Sequence, residues 1–473
     1  MKRAIVASLF VLVIGLSVTV RAVRQQPAPG GAKKMSDAEM VADLKRYIDE
    51  LVAQDRFSGA VLVARDGKPL FQQAYGLASK SFNVPNRLDT KFNLGSMNKM
   101  FTAVAILQLA EQGKLSLEDK VGKHVPDYPN KDVADKVTIH HLLTHTSGMG
   151  SYFNKEYMDA SKARFKKVRD YFPLMANEKL AFEPGARWQY SNSGFMLLGA
   201  IVEAVSGKDY FDYVREHIYK PAGMTNTDAY EMDQDTPNLA IGYANPGRGG
   251  APAQNNLYMH VVKGGPAGGG FSTVEDLLRF DIALRRNKLL SQKYTELLYT
   301  GKVEAGGPNS KYAYGFSDNR ASGTRIVGHS GGFPGINSQL DIYLDLGYTV
   351  AVMSNYSPPA ASRINERVRK RLMGQPVTTP ISLAPDALKR YTGKYEGKER
   401  ERTIAFTVEA EGNGLWFIIG RERHKFLPVS ETEFFDEDYE NVRATFVKDA
   451  DGNFSSFKLV GASPTEIIAV KQK

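Results

Sequence analysis

Ser96 and Lys99 lie three residues apart at the start of a long apolar stretch, Phe92 to Gly113. Residues at that spacing share a face in the first turn of a helix. There, free backbone N–H groups and the positive end of the helix dipole favour developing negative charge. A hydroxyl beside an amine in that place reads as an activated nucleophile. The same pair also fits a serine cap followed by a lysine reaching for solvent, and on this stretch alone both readings stand. A second copy, Ser455–Lys458, follows the turn-forming Asp451-Gly452-Asn453 in a strand-like run. Residues three apart on a strand face opposite ways, so that copy carries no chemistry. Tyr190 and Asn192 would point the same way in an extended segment. Alone, they read as a packed ring and a helix start capped by Asn192 or Ser193. His141 and His145 have the i, i+4 spacing of a zinc pair, but no His-Glu-x-x-His glutamate and no third ligand accompany them. Helix capping and packing are expected there, and no metal.

The elements that must position these residues follow from periodicity. Met97, Met100, Phe101, Val104 and Leu107 recur at helical spacing, while Ile106 and Leu109 make the opposite side apolar as well, which predicts a buried helix ended by Gly113. Asp37 to Ala53 has a helical pattern, and Gly59–Ala64 with Pro69–Ala74 reads as a hairpin turning at Arg65-Asp66-Gly67. A helix is expected over Phe195 to Val205 with Gly207 as its stop, and another opened by a capping box at Ser272-Thr273-Val274-Glu275. The glycine-rich Gly264–Gly270 has no dinucleotide-type strand before it and reads as close backbone approach near a site. Arg325–Gly332, Asn337–Leu344 and Tyr348–Asn355 are three consecutive antiparallel candidates, with a basic amphipathic helix after them, Ala361 to Met373. Past a proline-rich linker at 375–385, seven short strands with Asn-Gly, Gly and Asp-Gly breaks predict an all-β barrel or sandwich.

Taken in order, Ser96-x-x-Lys99, Tyr190-x-Asn192 and His329-Ser330-Gly331 resemble the penicillin-recognising serine hydrolases: class C β-lactamases, low-molecular-weight penicillin-binding proteins and D-stereospecific peptidases. His141-Leu142-Leu143-Thr144-His145-Thr146-Ser147-Gly148, Phe182-Glu183-Pro184-Gly185 and Ala267-Gly268-Gly269 add to the likeness, which covers Met40 to Met373. It implies an α+β fold, with a β-lactamase/transpeptidase-like antiparallel sheet flanked by helices plus a helical subdomain. It also implies catalysis by Ser96, Lys99 and Tyr190. Ser96 would form an acyl-enzyme, and Lys99 would either hold down the pKa of Tyr190 or act as base itself. Asn192, His329, Gly331 and Gly332 would bind substrate, with the oxyanion between the N–H groups of Ser96 and Gly332. A small molecule or peptide is the implied substrate, and no cofactor is expected. Many relatives carry Lys where this chain has His329. A neutral imidazole is a weaker carboxylate partner, which points from β-lactam turnover toward the D-aminopeptidase type, with esterase activity open. A penicillin-binding sensor that acylates without turnover, a true β-lactamase and a carrier with an inactive hydrolase domain are the alternatives. Tyr391-Thr392-Gly393-Lys394-Tyr395 resembles the lipocalin-like appendage of some of these peptidases, for which site covering, oligomerisation, apolar-ligand binding and plain structural support are the candidate roles.

Length and composition bound the rest. A chain of 473 residues, 42% hydrophobic and 24% charged, is expected to hold more than one globular domain. The expected division is a signal peptide or N-terminal anchor at 1–22, a linker at 23–38, the hydrolase domain at 39–374, a linker at 375–385 and a lipocalin-like domain at 386–473. Lys2 and Arg3 before the apolar Ala4–Val20 run, with Val20-Arg21-Ala22 after it, predict export to the periplasm or medium. The net charge of +9 is concentrated before Ile381 without a dense Lys/Arg run, so a solvated basic surface is expected, not nucleic-acid binding. Association with envelope polymers or lipids stays open. The absence of cysteine excludes disulfides, thiolate nucleophiles and Cys-based metal sites.

Overall fold

The computed structural model describes residues 35–244, 253–307, 309–400, 402–420, 422–462 and 466–472. The expected export segment and all but the end of the 23–38 linker lie outside the described residues. Two compact units divide the chain, with Pro380 onward in one and Asn309–Thr379 with the preceding main body in the other.

The larger unit begins with α1 (Asp37–Ala53), opened by a capping box between Ser36 and Glu39. Met40, Leu44, Ile48 and Leu51 form its buried stripe. The hairpin β1 (Gly59–Arg65) and β2 (Lys68–Tyr75) follows as expected. The next helix, α2 (Asn98–Glu111), is buried along every residue from Asn98 to Leu109. The helical subdomain contains α3 (Ile139–Leu143) and α4 (Asn192–Ser206), and α5 (Val274–Arg285) returns the chain toward the sheet. Six strands complete that sheet: β3 (Val303–Glu304), β4 (Ser310–Tyr312), β5 (Ser317–Ala321), β6 (Thr324–Phe333), β7 (Ile336–Tyr343) and, last, β8 (Tyr348–Ser354) beside the hairpin make the order β2-β1-β8-β7-β6-β5-β4-β3. The amphipathic α6 (Ser362–Leu372) ends the unit.

Alternation along the strands divides the core in two, because successive side chains on a strand face opposite sides. Ala60, Leu62, Ala64, Leu340, Ile342, Ala351 and Met353 join α2 and the helical subdomain in one cluster. Val61, Val63, Val350 and Val352 face the other way, onto α1 and onto Ile364, Val368 and Leu372 of α6. The sheet is therefore covered on both faces, which is why β1 reads as a continuous apolar run. Truncating one of the buried leucines of α1 to alanine costs about 2–5 kcal/mol. On that face Asp43 of α1 accepts hydrogen bonds from both Arg367 (2.9 Å, twice) and Arg371 (2.8 Å, twice), clipping α1 to α6.

Two helix starts differ from expectation. The cap of α4 is Ser191, whose side chain accepts from Gly194 N–H, so Asn192 lies inside the helix and Ser193 is not the cap. Likewise Thr273, not Ser272, caps α5 by accepting from Asp276 N–H. In both places neighbouring hydroxyls compete and the direction of chain entry selects one.

In the second unit a short helix, α7 (Pro385–Lys389), precedes a closed antiparallel barrel. Its strands are β9 (Gly393–Glu399), β10 (Arg402–Glu411), β11 (Gly414–Ile419), β12 (Glu422–Pro428), β13 (Glu433–Asp436), β14 (Arg443–Lys448), β15 (Phe454–Val460) and β16 (Ile467–Lys471). The eighth was not expected. Its alternation is masked because Ile468 and Val470 face out while Ile467 and Ala469 face in. It closes the barrel by pairing Tyr395 with Lys471 and Gly397 with Ala469. Aromatic rings occupy the interior, among them Phe417 and Phe426 with centroids 4.2 Å apart and Tyr391 and Phe454 at 4.3 Å. Lys458, in the second Ser-x-x-Lys copy, is exposed on β15 and pairs with Glu466, as its strand position predicts.

Candidate active site

Ser96 sits in a single tight turn, Gly95–Met97, that leads into α2. Gly95 has φ +52°, and a Cβ on it would lie 3.0 Å from Gly331 Cα and 3.1 Å from Gly332 N. Across the gap, a Cβ on Gly331 would lie 2.0 Å from Leu94 O. The nucleophile turn and β6 thus touch backbone to backbone, which only glycine permits here. β6 pairs with β7 from Ile326 to Phe333 but with β5 only from Thr324 to Gly328. The strand is consequently interior in its first half and an edge from His329 on, the half that passes Ser96.

Lys99 is completely buried, one turn along α2. Its Nζ donates to Asn192 Oδ1 at 2.9 Å and to the Ala267 carbonyl, and lies 3.3 Å from Ser96 Oγ. The Tyr190 ring centroid lies 4.9 Å from it and that of Phe195 5.6 Å. Among the described residues no carboxylate pairs with it, and burial pushes the amine well below the usual lysine range. Burial also pushes the Tyr190 phenol up, an effect only partly offset by its hydrogen bond with Ser96. The pocket thus disfavours charge on either group.

His329 lies on β6 as expected, but its ring faces inward. Nδ1 donates to its neighbour's carbonyl, Ser330 O (2.6 Å), so Nε2 is the acceptor for Tyr312 O–H at 2.9 Å. Burial, together with the nearby Lys99, pulls its pKa down to about 3, and the imidazole is neutral. With both nitrogens satisfied inside the protein, it offers no free group to a substrate. Asn192 bridges outward, its Nδ2 donating to Ser151 Oγ at 3.2 Å.

His141 and His145 do separate jobs. His141 Nδ1 accepts from Thr138 N–H at 3.3 Å and caps α3. His145 is fully buried at φ +59°; its Nδ1 accepts from Ser191 N–H (3.1 Å) and its carbonyl from Gln189 N–H (2.8 Å), gripping Tyr190 on both sides. The His145 ring stands 4.3 Å from Tyr190 and 4.5 Å from Tyr312. That positioning role was not read from the sequence, nor was that of Asn93. Asn93 Oδ1 accepts from Gly95 N–H (2.8 Å) while its Nδ2 donates to Gly269 O (3.2 Å). A signal for Asn93 existed: Asn two residues before Gly is Asx-turn spacing. The glycine-rich loop does make the expected close approach, since a Cβ on Gly268 would meet Gly95 O at 3.0 Å.

Fold and site together define a serine hydrolase of the β-lactamase/transpeptidase type. Residues 44–375 match the model of the family described as Beta-lactamase, and the chain belongs to that family. It is 31% identical over 415 residues to penicillin-binding protein 4* of Bacillus subtilis (strain 168), spanning 83% of this chain and 90% of that protein. The octameric penicillin-binding protein homologue from Pyrococcus abyssi superposes with a TM-score of 0.66 at 25% identity, covering 91% of this chain and 99% of that one. A D-stereospecific amidohydrolase from Streptomyces sp. does so at 0.60 and 26% identity, covering 71% and 99%.

Proposed function

We propose that the chain hydrolyses an amide, peptide or ester carbonyl through an acyl-enzyme on Ser96. The observation that carries this is the hydrogen bonding of Lys99. A neutral amine has two N–H donors and one lone pair, and the two neighbours that can only accept, Asn192 Oδ1 and Ala267 O, take the donors. The lone pair is left for the Ser96 hydroxyl at 3.3 Å. Lys99 then removes the Ser96 proton as Oγ attacks the carbonyl carbon, and the oxyanion forms between the N–H groups of Ser96 and Gly332. Tyr190, kept protonated by burial, gives its proton to the departing amine or alkoxide and is reprotonated from Lys99. Water, deprotonated by the same amine, attacks the acyl-enzyme; the C–Oγ bond breaks, the acid leaves, and Lys99 returns the proton to Ser96 Oγ.

The amidohydrolase likeness and the neutral His329 favour an amide or ester over a β-lactam bearing a carboxylate. The penicillin-binding names of the relatives favour one second reading, stable acylation with little turnover. Intact-mass measurement after a fluorophosphonate or a fluorescent penicillin, run beside p-nitrophenyl esters, D-amino-acid amides and nitrocefin, separates them. Label lost in Ser96→Ala with turnover of an ester or amide supports the hydrolase; label without turnover supports the second reading. A wild type that neither labels nor turns over defeats both. We also propose export, supported by Lys2, Arg3 and the apolar run, and tested by N-terminal sequencing of the secreted or periplasmic form.

A further inference from the structure

A closed circuit of contacts surrounds Ser96. Lys99 lies beside its Oγ and donates to Asn192, and Asn192 donates to Ser151. Two residues on, the Phe153 ring lies against Phe333, with ring centroids 6.2 Å apart and planes inclined by 31°. Phe333 follows Gly332 on β6, and Gly332 and Gly331 lie against Gly95, the residue before Ser96. Both rings are thus carried by segments that reach the surroundings of Ser96, one on the 151–153 loop and one on the free end of β6.

Neither ring belongs to a hydrophobic core, although Tyr152 and Tyr157 beside Phe153 do. Phe153 keeps 38% of its surface exposed despite the contact. Phe333 also meets His260 (5.9 Å), and on that loop Leu257 (39%) and Tyr258 (94%) are exposed too. Exposed apolar area close to a polar site is stabilised when a ligand covers it. Opposite, the inward His329 leaves no imidazole nitrogen for a carboxylate.

We propose that Phe153 and Phe333 form a subsite for an uncharged aliphatic or aromatic group flanking the scissile bond, and so set the substrate class; this rests on Ser96 being the nucleophile. The test is kcat/KM for Phe153→Ala, Phe333→Ala and the double variant in two series: p-nitrophenyl esters from acetyl to octanoyl, and acetate esters with leaving groups from methyl to benzyl. The expected result is that wild type prefers the larger apolar member of at least one series, and that each truncation lowers that preference about tenfold, the scale of a lost hydrophobic contact. If the two rings only latch the loop, every member loses rate alike and the preference stands, which overturns the subsite. A wild type without preference in either series overturns it as well. Ser96→Ala is assayed in parallel. Hydrolysis that survives in that variant defeats the nucleophile assignment, whereas hydrolysis lost there but indifferent to both rings defeats the subsite alone. Wild type inert to every ester and to an octyl fluorophosphonate sinks both.

Discussion

Lys99 concentrates the chemistry of this molecule in one nitrogen. An ammonium with no counter-ion is expensive to bury, so burial lowers the Lys99 pKa well below the ordinary lysine value of 10.5, the direction that the proposed base role requires. Only the deprotonated form can accept the Ser96 proton, so activity must fall as pH drops through the lowered Lys99 pKa and hold above it. On the proposed mechanism the profile of kcat/KM should show one acid-side ionisation, displaced below the range of an ordinary lysine. An acid limb displaced to the range of a free lysine would contradict that. Ser96 and Lys99 were legible because a short spacing puts them on one helical face, whereas Tyr190, far away in the chain, was legible only through the family resemblance. The Ala267 carbonyl was not, since a main-chain acceptor leaves no mark in residue identity, though it accepts a hydrogen bond from Lys99 Nζ. His145 was visible as a residue but not as a clamp on Tyr190. Its role depends on a left-handed backbone and on a chain segment some 46 residues away (191 − 145).

At the scale of elements, the Asp43 clip shows how α1 and α6 hold one face of the sheet. Burial alone would raise the Asp43 carboxyl; hydrogen bonds from Arg367 and Arg371 outweigh that and bring it from 3.8 to about 2. A depressed carboxyl stabilises the fold above its unfolded pKa and loses that effect as pH falls through the folded one. The shift is worth roughly 2 kcal/mol, lost between about pH 4 and pH 2. Asp43→Asn should therefore lower the thermal midpoint at pH 7 and bring it closer to wild type at pH 3, measured by calorimetry. An equal gap at both values would mean that the ion pairs contribute nothing. Most elements could be read from periodicity, α1 to the residue. The failures sit where two signals overlap, as with the adjacent hydroxyls at Ser191 to Ser193 and at Ser272 and Thr273. β16 escaped because both of its faces are apolar.

Across the whole molecule, the two units are wired differently. Barrel strands pair with their neighbours in sequence, and the one long closure, Tyr395 to Lys471, spans 76 residues (471 − 395). In the larger unit β1 pairs with β8, so Gly59 meets Ser354 across 295 residues (354 − 59). Non-local pairings form slowly because loop entropy must be overcome before contacts reward it. During refolding, pulse-labelled hydrogen exchange should find barrel amides protected before those of β1; simultaneous protection would refute the order. Until β8 arrives, the apolar Gly59–Ala64 segment is an open edge, a hazard for self-association. The turn before Ser96 leans on a strand from the same late-arriving region, through Gly95 and Gly331. A half-folded chain therefore has no formed nucleophile turn. Competence toward a fluorophosphonate should emerge only with the slowest refolding phase, which keeps a reactive serine from existing in a molecule whose sheet is still incomplete.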